Sequence, residues 1–316
     1  MSVFPSGDQF EIRHGEQRAT IVQVGGGIRS YTHSGRDVLQ PYAAAVMRDG
    51  AHGTPLIPWP NRLADGRYTF NGTDYQVALT EPTTHTAIHG FLSWRPWIAI
   101  EHEEHRVVMA VRLFPLEGYP FVLDVRIEYT LGPDGLTVTT TARNSGQNTL
   151  PYGCGQHPYL SPGAAGQVDD CILQLEATTR ITTDPERELP TGTEPVAGTA
   201  FDFRAPKKIG DVKIDFAFTG LARDSDARAW VHLTGQDQQT ASLWVDHTYS
   251  FIELYTADTL EEPRRRKGLG SEPMTCPPNA YATGENLIRL PSGESITTTW
   301  GARLSDTSTL GTKSSL

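Results

Sequence analysis

Short runs of β-branched and aromatic residues, separated by turns rich in glycine and proline, recur along most of this 316-residue chain. The clearest pair of runs flanks Asn71-Gly72, a dipeptide that accepts the positive φ angles of a tight hairpin turn. Longer runs follow at Val107–Leu113 and Phe121–Leu131, and no segment shows a convincing helical pattern. A chain of this kind predicts an all-β fold, either a sandwich or a barrel.

The remaining strand-like runs extend this pattern to the end of the chain. We expect strands at Arg67–Phe70, Thr73–Leu79, Leu136–Thr141, Ile172–Leu175, Ala229–Leu233, Ser242–Val245 and Phe251–Thr256. The runs Leu287–Leu290 and Ser295–Leu304 flank a Pro-Ser-Gly-Glu turn, so we expect them to pair as a closing hairpin. Because no linker-like change of composition divides the chain, we predict one domain over residues 1–304 and a disordered tail over residues 305–316.

Charge and cysteine content argue against several classes of protein. The net charge of −10 at pH 7 argues against nucleic acid or an anionic membrane as partner, because both require a basic face. Cys154, Cys171 and Cys276 form no CxxC pair and are odd in number, so we expect no disulfide framework. The first residues lack the basic start and apolar core of a signal peptide, and no run approaches the length of a membrane span. We therefore expect a cytoplasmic protein.

One glutamate stands in an unusual local sequence. Glu272 lies near the start of a proline-rich stretch, residues 270–280, which we interpret as a rigid loop rather than a central strand. A glutamate held in a rigid loop is well placed to take a proton from a substrate. The sequence therefore predicts Glu272 as a candidate general base.

Four further polar residues are candidates for the same site. His157 precedes a proline that restricts its backbone, and Arg62 follows a proline-rich segment at a loop end. Arg62 forms either a structural ion pair or a fork of donors for substrate oxygens. His89 taken alone fits a buried core histidine, and Asp215, flanked by apolar residues, fits a strand-end cap. Together the two histidines and the glutamate point to acid–base chemistry rather than a binding scaffold.

Taken in chain order, five short motifs resemble those of the aldose 1-epimerases, the galactose mutarotase family. The motifs are Asn61-Arg62, Ile88-His89-Gly90, Gln156-His157-Pro158, Asp215-Phe216 and Glu272-Pro273-Met274, and the resemblance covers nearly the whole chain. The family commonly has a leucine before the first His-Gly, a second glycine after it, and Asn-His-Thr around the second histidine. Here those positions hold Ile88, Phe91 and Gln156-His157-Pro158, which indicates a bacterial subgroup with its own substrate.

The resemblance implies a large β-sandwich that interconverts the two anomers of a free aldose without a cofactor or a metal. Glu272 would be the base for the C1 hydroxyl and His157 the acid for the ring oxygen, on opposite sides of the hemiacetal. For this role we expect a carboxylate to hold the pKa of His157 near or above its ordinary value. Arg62, His89, Asp215 and, within its motif, Asn61 would bind the sugar.

Three alternatives remain open at this stage. The first keeps the chemistry but takes a sugar with an anionic group at C6, phosphate or sulfonate, with Arg95 as one candidate for binding it. The second is a glycoside hydrolase or lyase, although two carboxylates across the bond would suit hydrolysis better. The third is a non-catalytic carbohydrate-binding protein. The basic run Arg264–Lys267 is interpreted as a solvated loop.

Overall fold

The computed structural model describes residues 3–163 and 166–306. Ser305 and Asp306 end the last strand, and the rest of the predicted tail, residues 307–316, lies outside the described residues. Two short helical turns occur in the described chain, a 3₁₀ turn at Val168–Asp170 and α1 at Ala280–Thr283. None of the helices in residues 3–163 and 166–306 has the length and apolarity needed to cross a membrane.

Strands make up most of the regular structure, and they are numbered here in chain order. The first nine are β1 (Gln9–His14), β2 (Gln17–Val22), β3 (Ile28–His33), β4 (Arg36–Leu39), β5 (Pro55–Leu56), β6 (Arg62–Ala64), β7 (Arg67–Phe70), β8 (Thr73–Gln76) and β9 (Thr86–Ile88). The next nine are β10 (Ile98–His102), β11 (Arg106–Leu113), β12 (Leu123–Gly132), β13 (Gly135–Asn144), β14 (Leu150–Tyr152), β15 (Gly155–Gln156), β16 (Tyr159–Leu160), β17 (Ile172–Leu175) and β18 (Ala177–Thr183). The last nine are β19 (Pro190–Pro195), β20 (Lys207–Lys208), β21 (Asp215–Leu221), β22 (Ala229–Thr234), β23 (Gln239–Val245), β24 (Phe251–Tyr255), β25 (Leu269–Met274), β26 (Ile288–Leu290) and β27 (Ser295–Asp306).

Two large antiparallel sheets pack face to face. The twelve-stranded sheet follows the order β1-β2-β3-β4-β16-β25-β24-β21-β18-β19, with β15 and β5 attached beside β25. The nine-stranded sheet follows the order β10-β11-β12-β13-β27-β23-β22-β17-β20. Strands β4 and β16 of the first sheet pack on β23 and β27 of the second, and the main hydrophobic core lies between them. The prediction of a single all-β sandwich is confirmed.

The nine-stranded sheet contains the most regular strands. In β12, Val125, Ile127 and Tyr129 are buried in the core, whereas the residues between them point outward. This alternation is the pattern expected for a sheet with one covered face. The predicted hairpin between β7 and β8 is also present, and both residues of its Asn71-Gly72 turn have positive φ angles.

The predicted closing hairpin is wrong. Strand β26 pairs with β14, and β27 lies between β13 and β23 in the nine-stranded sheet. Because both edges of β27 already carry partners, β26 cannot pair with it and joins a separate two-stranded ribbon. The turn residues between them were therefore recognised correctly, but the pairing they imply was not.

The interpretation of Glu272 as a loop residue is also wrong. Glu272 lies within β25, a central strand of the twelve-stranded sheet that is buried along its whole length. On one edge β25 pairs with β24, and on the other it pairs with β16 at Leu269 and Gly270 and with β15 at Met274. Pro273 sits where this second ladder is interrupted between β15 and β16. The strand therefore tolerates a residue that has no N–H to donate.

Candidate active site

All six residues predicted from the sequence line one cavity of about 330 Å³: Asn61, Arg62, His89, His157, Asp215 and Glu272. The cavity lies on the face of β21, β24 and β25 that points away from the main core, since Ile252 and Leu254 of β24 point into that core. It also contains Trp94, together with two residues that the sequence analysis missed, Glu253 and Arg48. The structure thus brings the predicted residues together and adds to them.

Glu272 and His157 are in direct contact in the wall of the cavity. Oε1 of Glu272 lies 3.0 Å from Nε2 of His157, and the two side chains are 3% and 7% exposed. Burial raises the pKa of Glu272 well above its ordinary value, and the nearby Glu253 and Asp215 add to this effect. Burial also lowers the pKa of His157 to about 3. Burial therefore disfavours the charged form of both groups.

This geometry corrects two expectations. The pKa of His157 lies far below its ordinary value rather than near or above it, because loss of solvation on burial disfavours the imidazolium. The predicted acid and base are also side by side instead of facing each other across the cavity. Adjacent groups suit a hemiacetal, because its hydroxyl and ring oxygens are bonded to the same carbon.

The backbone and a stack of rings hold His157 in place. The peptide N–H of His157 donates to the carbonyl oxygen of Thr54 at 3.0 Å, and its ring stacks on Tyr159 with centroids 4.9 Å apart. Gly155 permits this close packing, because a Cβ atom there would lie 2.8 Å from the carbonyl oxygen of Pro273. The glycine before the second histidine is therefore needed to bring β15 against β25.

His89 presents a defined donor to the cavity. The backbone N–H of Asn61 donates to Nδ1 of His89 at 3.1 Å, and burial lowers the pKa of the imidazole well below its ordinary value. The ring is therefore neutral with its proton on Nε2, which is free to donate to a substrate oxygen. Gly90 is required beside it, because a Cβ atom there would lie 2.1 Å from the carbonyl oxygen of Ile57.

Arg62 is held by two carboxylates at the cavity rim. Its Nε donates to Glu81 at 2.9 Å, and Nη2 forms an ion pair with Glu188. Glu188 lies in the turn between β18 and β19. Arg62 therefore forms the structural ion pair considered from the sequence, and it also lines the cavity.

Three carboxyl groups lie together on neighbouring strands. Glu253 of β24 is the register partner of Glu272 of β25, and Asp215 of β21 is paired with Tyr255, two residues further along β24. Burial raises the pKa of Asp215 to about 7 and that of Glu253 to about 8. The sequence did carry a signal for Glu253, which is a lone acid in the apolar strand Phe251–Tyr255.

Arg48 is a buried cation without a carboxylate partner. Its residue is 7% exposed, its Nε has no hydrogen-bond partner, and its guanidinium lies 3.6 Å from the ring centroid of Trp94. Nη2 donates to the carbonyl oxygen of Ser93. Within residues 3–163 and 166–306 no Asp or Glu forms an ion pair with it.

The basic residues considered from the sequence lie elsewhere. Arg95 is exposed and does not line the cavity. Arg264 pairs with Asp49 at 2.9 Å, and Arg266 pairs with Asp169 and Asp258 at 2.7 and 2.8 Å. The basic run thus ties loops together and is not simply solvated.

One cluster has the spacing of a metal site. Ligand atoms of His89, His157 and Glu272 lie within 4.8 Å of one another. However, Nδ1 of His89 accepts a backbone N–H, and His157 and Glu272 are in contact with each other. The three groups thus already contact protein partners, and these contacts are compatible with proton transfer.

Comparison with known proteins gives consistent matches across the chain. Residues 8–302 match the model of the family described as aldose 1-epimerase. The Escherichia coli (strain K12) protein YihR, described as uncharacterized, is 36% identical over 290 residues, which are 92% of this chain and 91% of YihR. Human galactose mutarotase is 31% identical over 228 residues, which are 69% of this chain and 60% of the human protein.

Solved structures share the fold. The GalM/aldose epimerase homologue from C. elegans has a TM-score of 0.83 at 18% identity and covers 95% of this chain and 99% of its own. Galactose 1-epimerase from Lactobacillus acidophilus has a TM-score of 0.79 at 19% identity, with 97% of both chains covered. At such identities the likeness shows the fold, and the family match rests on the sequence comparisons.

Proposed function

The chain belongs to the aldose 1-epimerase family, and from that premise we propose that it interconverts the α and β anomers of a free aldose. The observation that carries this proposal is the contact of 3.0 Å between Oε1 of Glu272 and Nε2 of His157, both buried in the wall of a cavity. An acid and a base in contact in the wall of a cavity can exchange protons with two oxygens of one hemiacetal carbon.

The reaction needs one proton on this pair and no net change in charge. Transfer of the proton from Glu272 to His157 gives a carboxylate and an imidazolium. Glu272 then takes the proton of the C1 hydroxyl while His157 protonates the ring oxygen, and the bond between C1 and that oxygen breaks. Rotation about C1–C2 exposes the other face of the aldehyde, and the reverse transfers close the ring.

The remaining residues bind and orient the sugar. His89 donates from Nε2, and Asp215 and Arg62 meet the hydroxyl groups from the same cavity. Asn61 acts indirectly as well, because its Oδ1 accepts the N–H of Arg62 at 2.7 Å and its side chain hydrogen-bonds Glu253. The mechanism assigns no role to a cofactor, and the protein is proposed to act without one.

Polarimetry tests the proposal directly. Freshly dissolved α-D-glucose and α-D-galactose approach anomeric equilibrium slowly, and the wild-type protein is expected to accelerate this change. Glu272→Gln keeps the shape of the side chain but removes its basicity, so it should not accelerate it. Absence of acceleration by the wild type with these and with anionic sugars would reject the epimerase and leave a carbohydrate-binding protein.

Arg48 favours a second candidate, an epimerase for an aldose that carries phosphate or sulfonate. A buried cation is costly unless an anion accompanies it, and burial lowers the pKa of Arg48 to about 10. It remains positively charged at neutral pH and lines the substrate cavity. An anionic group on the sugar would supply the partner that the described residues do not. Glucose 6-phosphate compared with glucose, at low and high salt, distinguishes the two candidates, because salt weakens only the charged contact.

A further inference from the structure

Glu253 and Glu272 occupy directly opposite positions on β24 and β25. Each is 2% exposed. Residues directly opposite in an antiparallel pair have Cβ atoms about 4.5–5.5 Å apart on one face of the sheet, so their carboxyl groups can reach each other. The sheet register therefore places an additional carboxyl group beside the proposed base.

Each of the two carboxyl groups contacts one polar neighbour, and each has one oxygen, Oε2, without a hydrogen-bond partner among the described residues. Oε1 of Glu272 lies 3.0 Å from Nε2 of His157, and the side chain of Asn61 forms a hydrogen bond with Glu253. Oε2 of Glu272 and Oε2 of Glu253 are both buried, and neither has a partner among the described residues. Such orphans are rare in folded proteins. A proton on Oε2 of Glu253, donated to Oε2 of Glu272, would satisfy both atoms.

The surrounding charges cannot neutralise two carboxylates. The ionisable groups near the pair are the acids Asp215, Glu81 and Glu188, the bases Arg62, His89 and His157, and the phenols Tyr159 and Tyr255. Among these described groups Arg62 alone is charged positively at neutral pH, because burial keeps both histidines neutral. Its guanidinium is already paired with Glu81 and Glu188. Like charges on adjacent buried carboxyl groups are avoided by protonation.

We propose that Glu253 is a positioning residue that stays protonated and donates a hydrogen bond to Oε2 of Glu272, which holds the proposed base in register with His157. This role rests on the proposed ring opening. A chain of hydrogen bonds then runs from Glu253 through both oxygens of Glu272 to Nε2 of His157. Glu253 keeps its proton throughout the cycle, while the other proton moves among Glu272, His157 and the sugar.

Kinetics of two variants test the role. Glu253→Gln retains a donor but cannot ionise, and Glu253→Met has a similar length without a donor. We expect the Met variant to lower kcat by about 10- to 100-fold with little change in KM, the equivalent of one hydrogen bond to a charged group. The Gln variant should lower kcat only about 3-fold, because an amide N–H replaces most of that bond. Equal losses of kcat in both variants would overturn the proposal.

The dependence of kcat on pH distinguishes a hydrogen-bonding role of Glu253 from a purely structural one, because a change in packing would not alter it. In the wild type, kcat should fall on the alkaline side as Glu253 loses its proton, and its pKa is raised to about 8 by burial. Glu253→Gln should lose this decline, because it keeps its donor at all pH values. An alkaline limb of the same midpoint in both proteins contradicts the role.

Infrared spectroscopy tests the protonation state without any substrate. The carbonyl band of protonated carboxyl groups is compared at pH 7 between Asp215→Asn and Asp215→Asn/Glu253→Gln, so that Asp215 contributes to neither. We expect the second protein to lose part of the band. Identical spectra would mean that Glu253 is ionised and would reject the proposal, whatever the fate of the epimerase assignment. Failure of the epimerase itself would appear separately, as a wild type without activity.

Discussion

Two parts of the cavity bury opposite kinds of ionisable group. The acidic wall, formed by Asp215, Glu253 and Glu272, has more carboxyl groups than cations, and the site around Arg48 has a cation without a carboxylate in the part of the chain that the structure describes. On the acidic wall the three carboxyl groups lie on neighbouring strands. The arginine near them, Arg62, is already paired with Glu81 and Glu188. At Arg48, a buried guanidinium rests on Trp94 with no carboxylate in ion-pair contact among the described residues.

The difference shows two ways in which a protein accommodates buried ionisable groups. Excess carboxyl groups can take up protons, because their pKa values rise on burial into the range of neutral pH. A guanidinium cannot lose its proton at neutral pH. An anion from outside the protein is therefore needed to balance its charge. The acidic wall is therefore expected to perform proton transfer, and Arg48 is expected to bind the substrate.

The largest effect is expected at the pair itself. His157→Asn and Glu272→Gln should each lower kcat by about 10³, the usual contribution of a general acid or base. Because the two act as one unit, the double variant should cost no more than either single variant. Polarimetry measures all three, with thermal unfolding as the control for folding. Losses that multiply would show that the two residues act independently.

The next largest effect is expected at Arg48 and only with an anionic sugar, which distinguishes its role from that of the acidic wall. Arg48→Met should lower kcat/KM for glucose 6-phosphate by about 10- to 100-fold, since one charge-assisted hydrogen bond is lost. For glucose the change should stay within about 3-fold. The matched control is Arg95→Met, which removes an exposed arginine outside the cavity. Equal sensitivity to both sugars would remove Arg48 from anion recognition.

A smaller effect concerns the stability of the acidic wall. The pKa of Glu253 is raised in the folded protein from 4.5 to about 8, so its contribution to stability is full at low pH and is lost as pH rises through this window. Glu253→Gln carries no such loss. We expect the two proteins to unfold nearly alike near pH 4.5, and the variant to be more stable by about 4 kcal/mol at pH 8. Urea unfolding at both pH values measures this difference. A variant that is less stable at pH 8 would contradict it.

The smallest effect is expected from removal of metal ions. Incubation with EDTA should leave kcat unchanged, because the proton transfers use the side chains alone. The cluster of His89, His157 and Glu272 makes this test necessary, since its atoms lie within 4.8 Å of one another. A loss of activity that zinc or another divalent ion restores would assign this cluster to metal binding instead.

Most of the nine-stranded sheet could be predicted from the sequence. The strand Ile172–Leu175 was predicted to the residue, and the runs at β11, β12 and β22 were placed within two residues at each end. These strands have one covered face or dense β-branched residues, so the signal is local. The pairing of β26 and β27 failed because it depends on which strand edges remain open.

The site was only partly predictable, for two physical reasons. Glu272 was assigned to a loop because Pro273 argues against a central strand, yet the gap between β15 and β16 that admits this proline is a tertiary feature. Arg48 lies in a segment without a motif, and its meaning comes from its contact with Trp94. Glu253 differs from both, since a lone acid in an apolar strand is visible in the sequence.

The cross-strand position of Glu253 and Glu272 also makes activity a sensitive report of correct folding. A shift of β24 by one residue against β25 would place Ile252 or Leu254 opposite the proposed base and turn Glu253 into the main core. Such a protein would keep its strands and much of its compactness but would lose the acidic wall. A loss of specific activity without loss of strand content is therefore the expected sign of such a register shift.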